Sequence, residues 1–269
     1  MADAVYQREG DVFTPSEWAG SPWSRDLQHG GPVCGLVAHA AEAAARETGH
    51  AIVRLGVDLC RPTPFAPLGL RWRYARRGRR LTLIEVTLLA GEDEISRGSA
   101  LLLAEHAGSA GTWQPDEPPP PGPDGLESSP FMPREYLKHV PPGFHRSVEI
   151  RMSEDELGPA VWLTTPLDLV AGEATSPLVR AAMLSDLTFA MAGRILLRRR
   201  ELPTDERRVP LINADMTLYL ERAPVGDWIA FRRGAVTNQR GIGLAEVHQL
   251  DPQGRYGHSL QALIANPTP

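Results

Sequence analysis

The chain has 269 residues, of which 42% are hydrophobic, and a formal net charge of -5 at pH 7. This length suffices for one large domain or two smaller ones, and the composition is typical of a soluble globular protein. A mildly acidic balance excludes a general attraction to nucleic acid or anionic membranes. The first eleven residues are polar and the chain contains no apolar run of about 18 residues. We therefore predict a cytoplasmic protein with neither nucleic-acid nor membrane partners.

The two cysteines and the absence of several motifs narrow the chemistry further. Cys34 and Cys60 lie in apolar surroundings without a CxxC pair or metal-ligand spacing. We predict that both are buried small hydrophobic residues and that no metal is bound. No GxSxG, GxxxxGK[ST] or HExxH motif is present, which argues against a serine hydrolase of the α/β type, a phosphate-binding loop and a zinc peptidase.

The first half predicts one helix followed by an antiparallel meander. Small apolar residues recur at helical spacing from Pro32 to about Arg46, and Gly49 follows as a helix terminator. Alternating segments separated by turn residues then predict four strands. These strands span 52–59, 68–75, 81–90 and 95–104.

The second half repeats this order. Ser176 and Pro177 suit the start of a helix that the apolar pattern carries to about Arg198. The strands predicted around it span 147–152, 160–165, 210–222, 228–237, 241–250 and 257–265. Between the halves the composition becomes rich in proline, which is typical of a linker or a surface strap. We predict an N-terminal domain at 1–107, a linker at 108–142 and a C-terminal domain at 143–269, related by duplication.

The strand predicted at 210–222 has an unusual polar face. Apolar and polar residues alternate almost perfectly along it. Asn213, Asp215, Thr217 and Tyr219 are predicted to share one side. On pattern alone, this side fits either a solvated outer face or the wall of a polar site.

The duplicated pattern resembles the double hotdog architecture, and more specifically the acyl-CoA thioesterase II type. The resemblance covers essentially the whole chain and is carried by His29-Gly-Gly31, Leu184-Ser-Asp186, Asn213-Ala-Asp215, Glu221-Arg-Ala-Pro224, Trp228, Gln239-Arg-Gly241 and Ser259-Leu-Gln261. It implies an α+β fold: a tandem hotdog in which each half is a long central helix wrapped by an antiparallel β-sheet. It also implies a homo-oligomer of such double units and a place in fatty acid metabolism.

The resemblance further implies hydrolysis of acyl-CoA thioesters to free acid and CoA. In that family, a carboxylate from the second helix, a hydroxyl or amide from the next strand and a glutamine from the last strand activate water. By position, these are Asp186, Asn213 and Gln261, with Asp215 as a reserve carboxylate. Enterobacterial-type members have threonine where Asn213 stands, but an amide can also hydrogen-bond to water. No cofactor is implied except the coenzyme A of the substrate.

An overlay of the two halves predicts one site. With Pro32 placed on Pro177 to align the helices and Arg61 on Arg222 to align the strands, the positions opposite the three polar residues are Ala41, Ile52 and Ala100. The first half therefore lacks all three polar groups.

The first half instead has a distinctive helix start at His29, Gly30 and Gly31. Glycines permit close approach of a ligand, and the free amides of a helix start can polarise a thioester carbonyl. We predict a composite site to which each half contributes a different part, with these three residues on the substrate-binding side. Alone, a histidine beside glycines is more often a helix cap.

Two other functions remain open at this point. One is a non-catalytic protein of hotdog fold that binds acyl-CoA or an acyl carrier. The other is a hotdog enoyl-CoA hydratase or dehydratase, which usually has a histidine five positions after the carboxylate; here that position is Met191. A carboxylate in an apolar stretch needs a partner or a purpose, which favours the enzyme. The acyl group and the choice between CoA and carrier-protein thioesters are not specified by the sequence.

Overall fold

A computed structural model describes residues 3–106, 117–201 and 211–266. The helices are α1 (Gly30–Thr48), α2 (Arg134–Leu137), α3 (Pro177–Ser185) and α4 (Thr188–Arg199). The strands are β1 (Ala4–Glu9), β2 (Val12–Pro15), β3 (Ala51–Asp58), β4 (Leu68–Arg77), β5 (Leu81–Ala90), β6 (Asp93–Leu103), β7 (Ser128–Pro130), β8 (Glu149–Asp155), β9 (Gly158–Thr164), β10 (Asp168–Val170), β11 (Leu211–Asn213), β12 (Asp215–Leu220), β13 (Ile229–Gln239), β14 (Ile242–Asp251) and β15 (Gly254–Ala265).

All of these strands belong to one sheet that joins the two halves. Its order is β10-β1-β2-β4-β5-β6-β3-β12-β15-β14-β13-β9-β8-β7, and β11 also pairs with β15. At the centre, β3 and β12 pair antiparallel with Gly56 opposite Thr217. On either side of this pair the strands follow in corresponding order, β6-β5-β4 and β15-β14-β13. The predicted tandem hotdog is confirmed.

The long helices cover one face of this sheet. α1 packs on β3, β5 and β6, α4 packs on β13, β14 and β9, and α1 and α3 pack on each other. Small residues make the helix contact close: a side chain at Gly35 would come within 2.9 Å of a Leu169 methyl group and closer still to Met183. Of the helices in the described residues, none combines the length and apolar character that crossing a membrane requires.

Three short strands were not predicted: β1 and β2 of the first half and β10 of the second. β1 and β2 pair with each other, and β1 also pairs in parallel with β10, with Ala4 opposite Asp168. A strand from the second half thus extends the sheet of the first. Strands of three to six residues are too short for their alternation to be distinguished from loop sequence.

The described part of the proline-rich segment lies against the C-terminal half. Trp162 Nε1 donates to the carbonyl of Pro121 at 2.8 Å, and Arg151 Nη1 donates to that of Pro123 at 2.9 Å. β7 and α2 also lie in this segment, which we predicted as a linker or a surface strap. Residues 107–116, which contain the predicted domain boundary at 107, lie outside the described residues.

The two cysteines have different environments. Cys34 is buried in α1 as predicted, whereas Cys60 is exposed. The prediction for Cys60 was wrong because β3 ends at Asp58, so the alternation of that strand no longer determines which side chains are buried.

Candidate active site

Asp186 lies at a break between two helices. The apolar pattern predicted one helix through this position, but α3 ends at Ser185 and α4 begins at Thr188. Asp186 is the C-terminal cap of α3, and its carboxylate has partners outside both helices. Hydrophobic periodicity does not detect such a break because apolar residues continue at nearly the same spacing on both sides.

Gln261 stabilises this break from the last strand. Its Nε2 donates to the backbone carbonyl of Asp186 at 2.8 Å, and its Oε1 accepts from the backbone N–H of Phe189 at 2.8 Å. These bonds satisfy two backbone groups that the interruption of the helix leaves unpaired. A primary amide has two N–H groups and two lone pairs, so each of its polar atoms keeps one further bonding position.

A β-bulge between β11 and β12 turns Asn213 towards the helices. Asn213 lies opposite Leu263 of β15, whereas Thr217 lies opposite Leu260, so one extra residue lies between them. Asn213 consequently shares the inner face with Gln261, while Asp215 lies on the outer face. The prediction that Asn213 and Asp215 share one polar face was wrong, since one inserted residue reverses the alternation.

The Asp186 carboxylate is the centre of a polar cluster built by both halves. Asn213 Nδ2 donates to its Oδ1 at 2.8 Å, and His29 Nδ1 lies 3.0 Å from its Oδ2. Asp186 is 8% exposed, so it is mostly buried but still reachable. A side-chain carbon at Gly30 would lie 2.7 Å from Oδ1. Glycine at this position therefore allows the start of α1 to contact the carboxylate directly.

His29 has two competing partners at one ring nitrogen. Its Nδ1 lies 3.0 Å from Asp186 Oδ2 and 3.1 Å from the backbone N–H of Gly31. A bare Nδ1 would accept from Gly31 but direct its lone pair at a carboxylate. We assign the proton to Nδ1, because a donor facing the negative charge is electrostatically favoured. The N–H of Gly31 then keeps its capacity to bind another oxygen.

Asp215, the reserve carboxylate, lies apart from this cluster. Its Oδ1 accepts from the backbone N–H of Ala262 at 2.6 Å. Burial, together with the nearby charge of Asp58, raises the pKa of Asp215 above its ordinary value. Its position on the outer face of the sheet separates it from Asp186.

Two aromatic residues that the sequence did not indicate complete the surroundings of His29. The ring of Phe144 lies 5.2 Å from that of His29, and the ring of His145 stacks on it at 6.4 Å with 22° between the planes. Both belong to a short 3₁₀ turn, Phe144–Arg146, that follows the proline-rich segment. A one-turn element has no periodicity, so no sequence signal placed these residues at the site.

A buried hydrogen-bond chain supports the end of α3. Ser185 Oγ donates to the carbonyl of Ala181 at 2.7 Å and accepts from Gln249 Nε2 at 2.7 Å. The hydroxyl of Tyr256 donates to Gln249 Oε1 at 2.5 Å. Each group has a partner, so the chain holds the residue before Asp186 in one position.

Comparison with known protein families agrees with this architecture. The model of the acyl-CoA thioesterase N-terminal domain matches residues 19–103, and that of the acyl-CoA thioesterase C-terminal domain matches residues 115–264. Together these segments cover most of the chain. No curated protein sequence matches the chain significantly.

Solved structures show the same fold over nearly the whole length. A Novosphingobium aromaticivorans protein assigned to the thioesterases is 20% identical, with a TM-score of 0.69 and coverage of 97% of this chain and 98% of that one. The TesB protein of Mycobacterium avium subsp. paratuberculosis is 16% identical (TM-score 0.66; coverage 97% and 96%). An acyl-CoA thioesterase II of Mycobacterium marinum is also 16% identical (TM-score 0.62; coverage 97% and 95%). At these sequence identities the structural similarity shows only a shared fold. The family models match both halves of the chain, and this chain therefore belongs to the acyl-CoA thioesterase family, with one family domain in each half.

Proposed function

We propose that this protein hydrolyses acyl-CoA thioesters to a free acid and CoA, with Asp186 activating the attacking water. The observation that carries the proposal is the position of the Asp186 carboxylate. It is held by Asn213 of its own half and His29 of the other, directly against the start of α1. A buried carboxylate at a helix start, with a route to solvent, can both orient a water and take its proton.

Water is bound between Asp186 and Asn213 in this proposal. The Asn213 amide donates to Asp186 through Nδ2, which leaves its oxygen free to accept from a water. Each carboxylate oxygen of Asp186 also has a second lone pair for that water. Asparagine thereby takes the place that threonine has in related enzymes, and Gln261 holds the backbone that carries Asp186.

The start of α1 polarises the thioester. With the proton of His29 on Nδ1, the backbone N–H of Gly31 can donate to the thioester carbonyl, and the helix dipole favours the negative charge that develops there. The water oxygen bonds to the carbonyl carbon and the C–S bond breaks. The proton taken by Asp186 passes to the departing thiolate. Neither a metal nor a redox cofactor enters this reaction.

The competing interpretation is that Asp186 only binds Asn213 and His29, the N-terminal cap of α1, in a protein that binds acyl-CoA without hydrolysing it. Both carboxylate oxygens already have protein partners, which is the observation that favours it. A structural carboxylate and a catalytic one differ in their effect on turnover, so kinetics can separate the two.

To test the proposal, the rate of thiol release from short, medium, long and aromatic acyl-CoAs is measured for the wild-type protein and for Asp186→Asn. We expect wild-type turnover that falls at least about a hundredfold in the variant, equal to about 2.7 kcal/mol of transition-state stabilisation. Asp215→Asn makes the same chemical change on the outer face of the sheet and should keep wild-type activity. Full activity in Asp186→Asn would reject the role of Asp186. A folded wild type that binds acyl-CoA but releases no thiol from any substrate would favour the binding protein.

A further inference from the structure

His145 is a buried histidine whose ring nitrogens lack a well-formed hydrogen bond. It is 1% exposed, and neither ring nitrogen makes a hydrogen bond of ordinary geometry with any described residue. Buried polar groups in folded proteins nearly always have partners, because an unpaired one lowers stability. Because this ring stacks on His29 of the candidate site, we expect a polar group of a bound ligand to hydrogen-bond to it.

The turn that carries His145 is held firmly in place. The backbone N–H of Phe144 donates to the carbonyl of Gly20 at 3.1 Å. Arg146 Nη2 donates to the carbonyls of Leu137 and Val140 at 2.7 and 2.9 Å. These bonds on both sides keep the ring from turning out to water, so the fold retains beside His29 an imidazole without a well-formed hydrogen bond.

The surroundings of His145 keep its ring uncharged. Burial lowers its pKa to about 4, and the neighbouring His29 and Arg146 act in the same direction, while the carbonyl of Pro141 opposes them weakly. A neutral imidazole has one N–H donor and one lone pair. It suits an uncharged polar group, whereas a phosphate would require a cation to offset its charge.

An acyl thioester presents one such group close to its reacting atoms. Coenzyme A and acyl carriers both end in a pantetheine arm, in which an amide lies two carbons from the thioester sulfur. If Asp186 and the start of α1 hold the thioester, this amide must lie nearby in the same buried region. Its N–H and C=O match the donor and acceptor of a neutral imidazole.

We propose that His145 is a substrate contact that hydrogen-bonds the pantetheine amide nearest the thioester sulfur. This inference rests on the proposed function, since it takes the thioester to lie at Asp186. Only when the substrate is bound does the contact compensate for the cost of burying the ring without a well-formed hydrogen bond. His145 thus binds the pantetheine arm that CoA and carrier thioesters share and does not distinguish between acyl groups.

His145→Phe tests this contact because it keeps an aromatic ring of similar size and removes both nitrogens. Two substrates with the same acyl group are compared: the N-acetylcysteamine thioester, which retains the amide, and the pentanethiol thioester, which replaces the amide with hydrocarbon. We expect kcat/KM to fall about tenfold or more for the amide substrate and less than about twofold for the other. His139→Phe, the same change at an exposed histidine, should alter neither.

Each other outcome rejects the contact. Equal losses on both substrates would show that His145 acts only by positioning His29, and wild-type rates on both would show that it has no role in binding. If wild type hydrolyses no thioester, the proposed function fails separately. Calorimetry with a non-hydrolysable S-alkyl coenzyme A then decides: about tenfold weaker binding by His145→Phe supports the contact, and equal Kd overturns it.

Discussion

Each half of the molecule contains a long helical segment, which is continuous in the first half and broken in the second. α1 runs without interruption from Gly30 to Thr48, and the position that overlays Asp186 is the buried Ala41. In the second half the corresponding helix breaks at Asp186 into α3 and α4. A small apolar residue can be buried within a helix without loss of stability. A carboxylate buried there without hydrogen-bond partners would lower stability. The break lets Asp186 face the start of α1, where partners exist.

The polar residues around the break in the second half are all replaced by apolar residues in the first half. Gln261 stabilises the second-half break and Asn213 binds the carboxylate. Their counterparts in the first half, Ala100 and Ile52, lack polar side-chain atoms, and that helix is continuous. The second half supplies the Asp186 carboxylate. The first half supplies the start of α1, where Gly30 has no side chain that would clash with this carboxylate. The two halves therefore have similar folds but contribute different residues to the candidate site.

The largest effect on stability is expected from Gln261→Leu. This change leaves the carbonyl of Asp186 and the N–H of Phe189 unpaired in a buried place, with an expected loss of about 2–4 kcal/mol in the free energy of unfolding. Chemical denaturation measures it. Gln261→Glu can still accept from Phe189, but it sets a second acceptor against the carbonyl of Asp186 in a fully buried place and should also be destabilised. If both variants were as stable as wild type, the break would not depend on Gln261.

Gly30→Ala should convert the contact between the halves into a clash. The added methyl carbon would lie 2.7 Å from Asp186 Oδ1, so the carboxylate must move. We expect kcat to fall about thirtyfold, or about 2 kcal/mol. Gly193→Ala, a helical glycine in α4 with open space around it, should keep activity and raise stability by about 0.5–1 kcal/mol. Equal activity in both variants would contradict the close approach at Gly30.

Asn213 offers a smaller perturbation of the same cluster. Asn213→Ala removes the donor to Asp186 Oδ1 and the proposed acceptor for water, and should lower kcat/KM about tenfold, or about 1.4 kcal/mol. Asn213→Thr retains a hydroxyl at this position and should recover part of that loss. Thiol-release kinetics with one acyl-CoA compare the three proteins. If Asn213→Thr were no better than Asn213→Ala, the two residues would not be interchangeable here.

The smallest effect is expected in the pH dependence of stability. The folded pKa of His145 lies at about 4, below its ordinary value of 6.5. The unfolded chain therefore binds a proton that the folded protein excludes, and stability is lost as the pH falls from about 6.5 to about 4. His145→Phe should flatten this decline by about 1 kcal/mol or more in denaturation curves at the two pH values. An unchanged slope would contradict the depressed pKa. The histidines at 39 and 258, whose pKa is also lowered, remain in both proteins as a common background.

Much of the fold followed from local pattern. The strands at 81–90 and 68–77, and the helix that ends before Gly49, agree with their predictions within a few residues. Periodicity, turn residues and a helix terminator act over a few neighbouring positions, so one sequence reveals them. The tandem fold then followed from the repetition of that order in the two halves.

The candidate site was harder to predict because its geometry depends on two local irregularities. The bulge between Asn213 and Thr217 and the break after Ser185 each change which way a side chain points, yet leave the apolar pattern almost intact. Phe144 and His145 reach the site from a one-turn element that no pattern marks.

The sequence by itself determined the longer elements, their repeated order in the two halves and the residues of the family pattern, because each depends on residue type and short-range order. Only the tertiary structure decided which of those residues meet. His29 and Asp186 are 157 positions apart and meet across the contact of α1 with α3. Asn213 and Asp215 are two positions apart and lie on opposite faces of the sheet. Proximity at such a site is set by packing and strand register, which long-range burial of apolar surface selects and no local pattern contains.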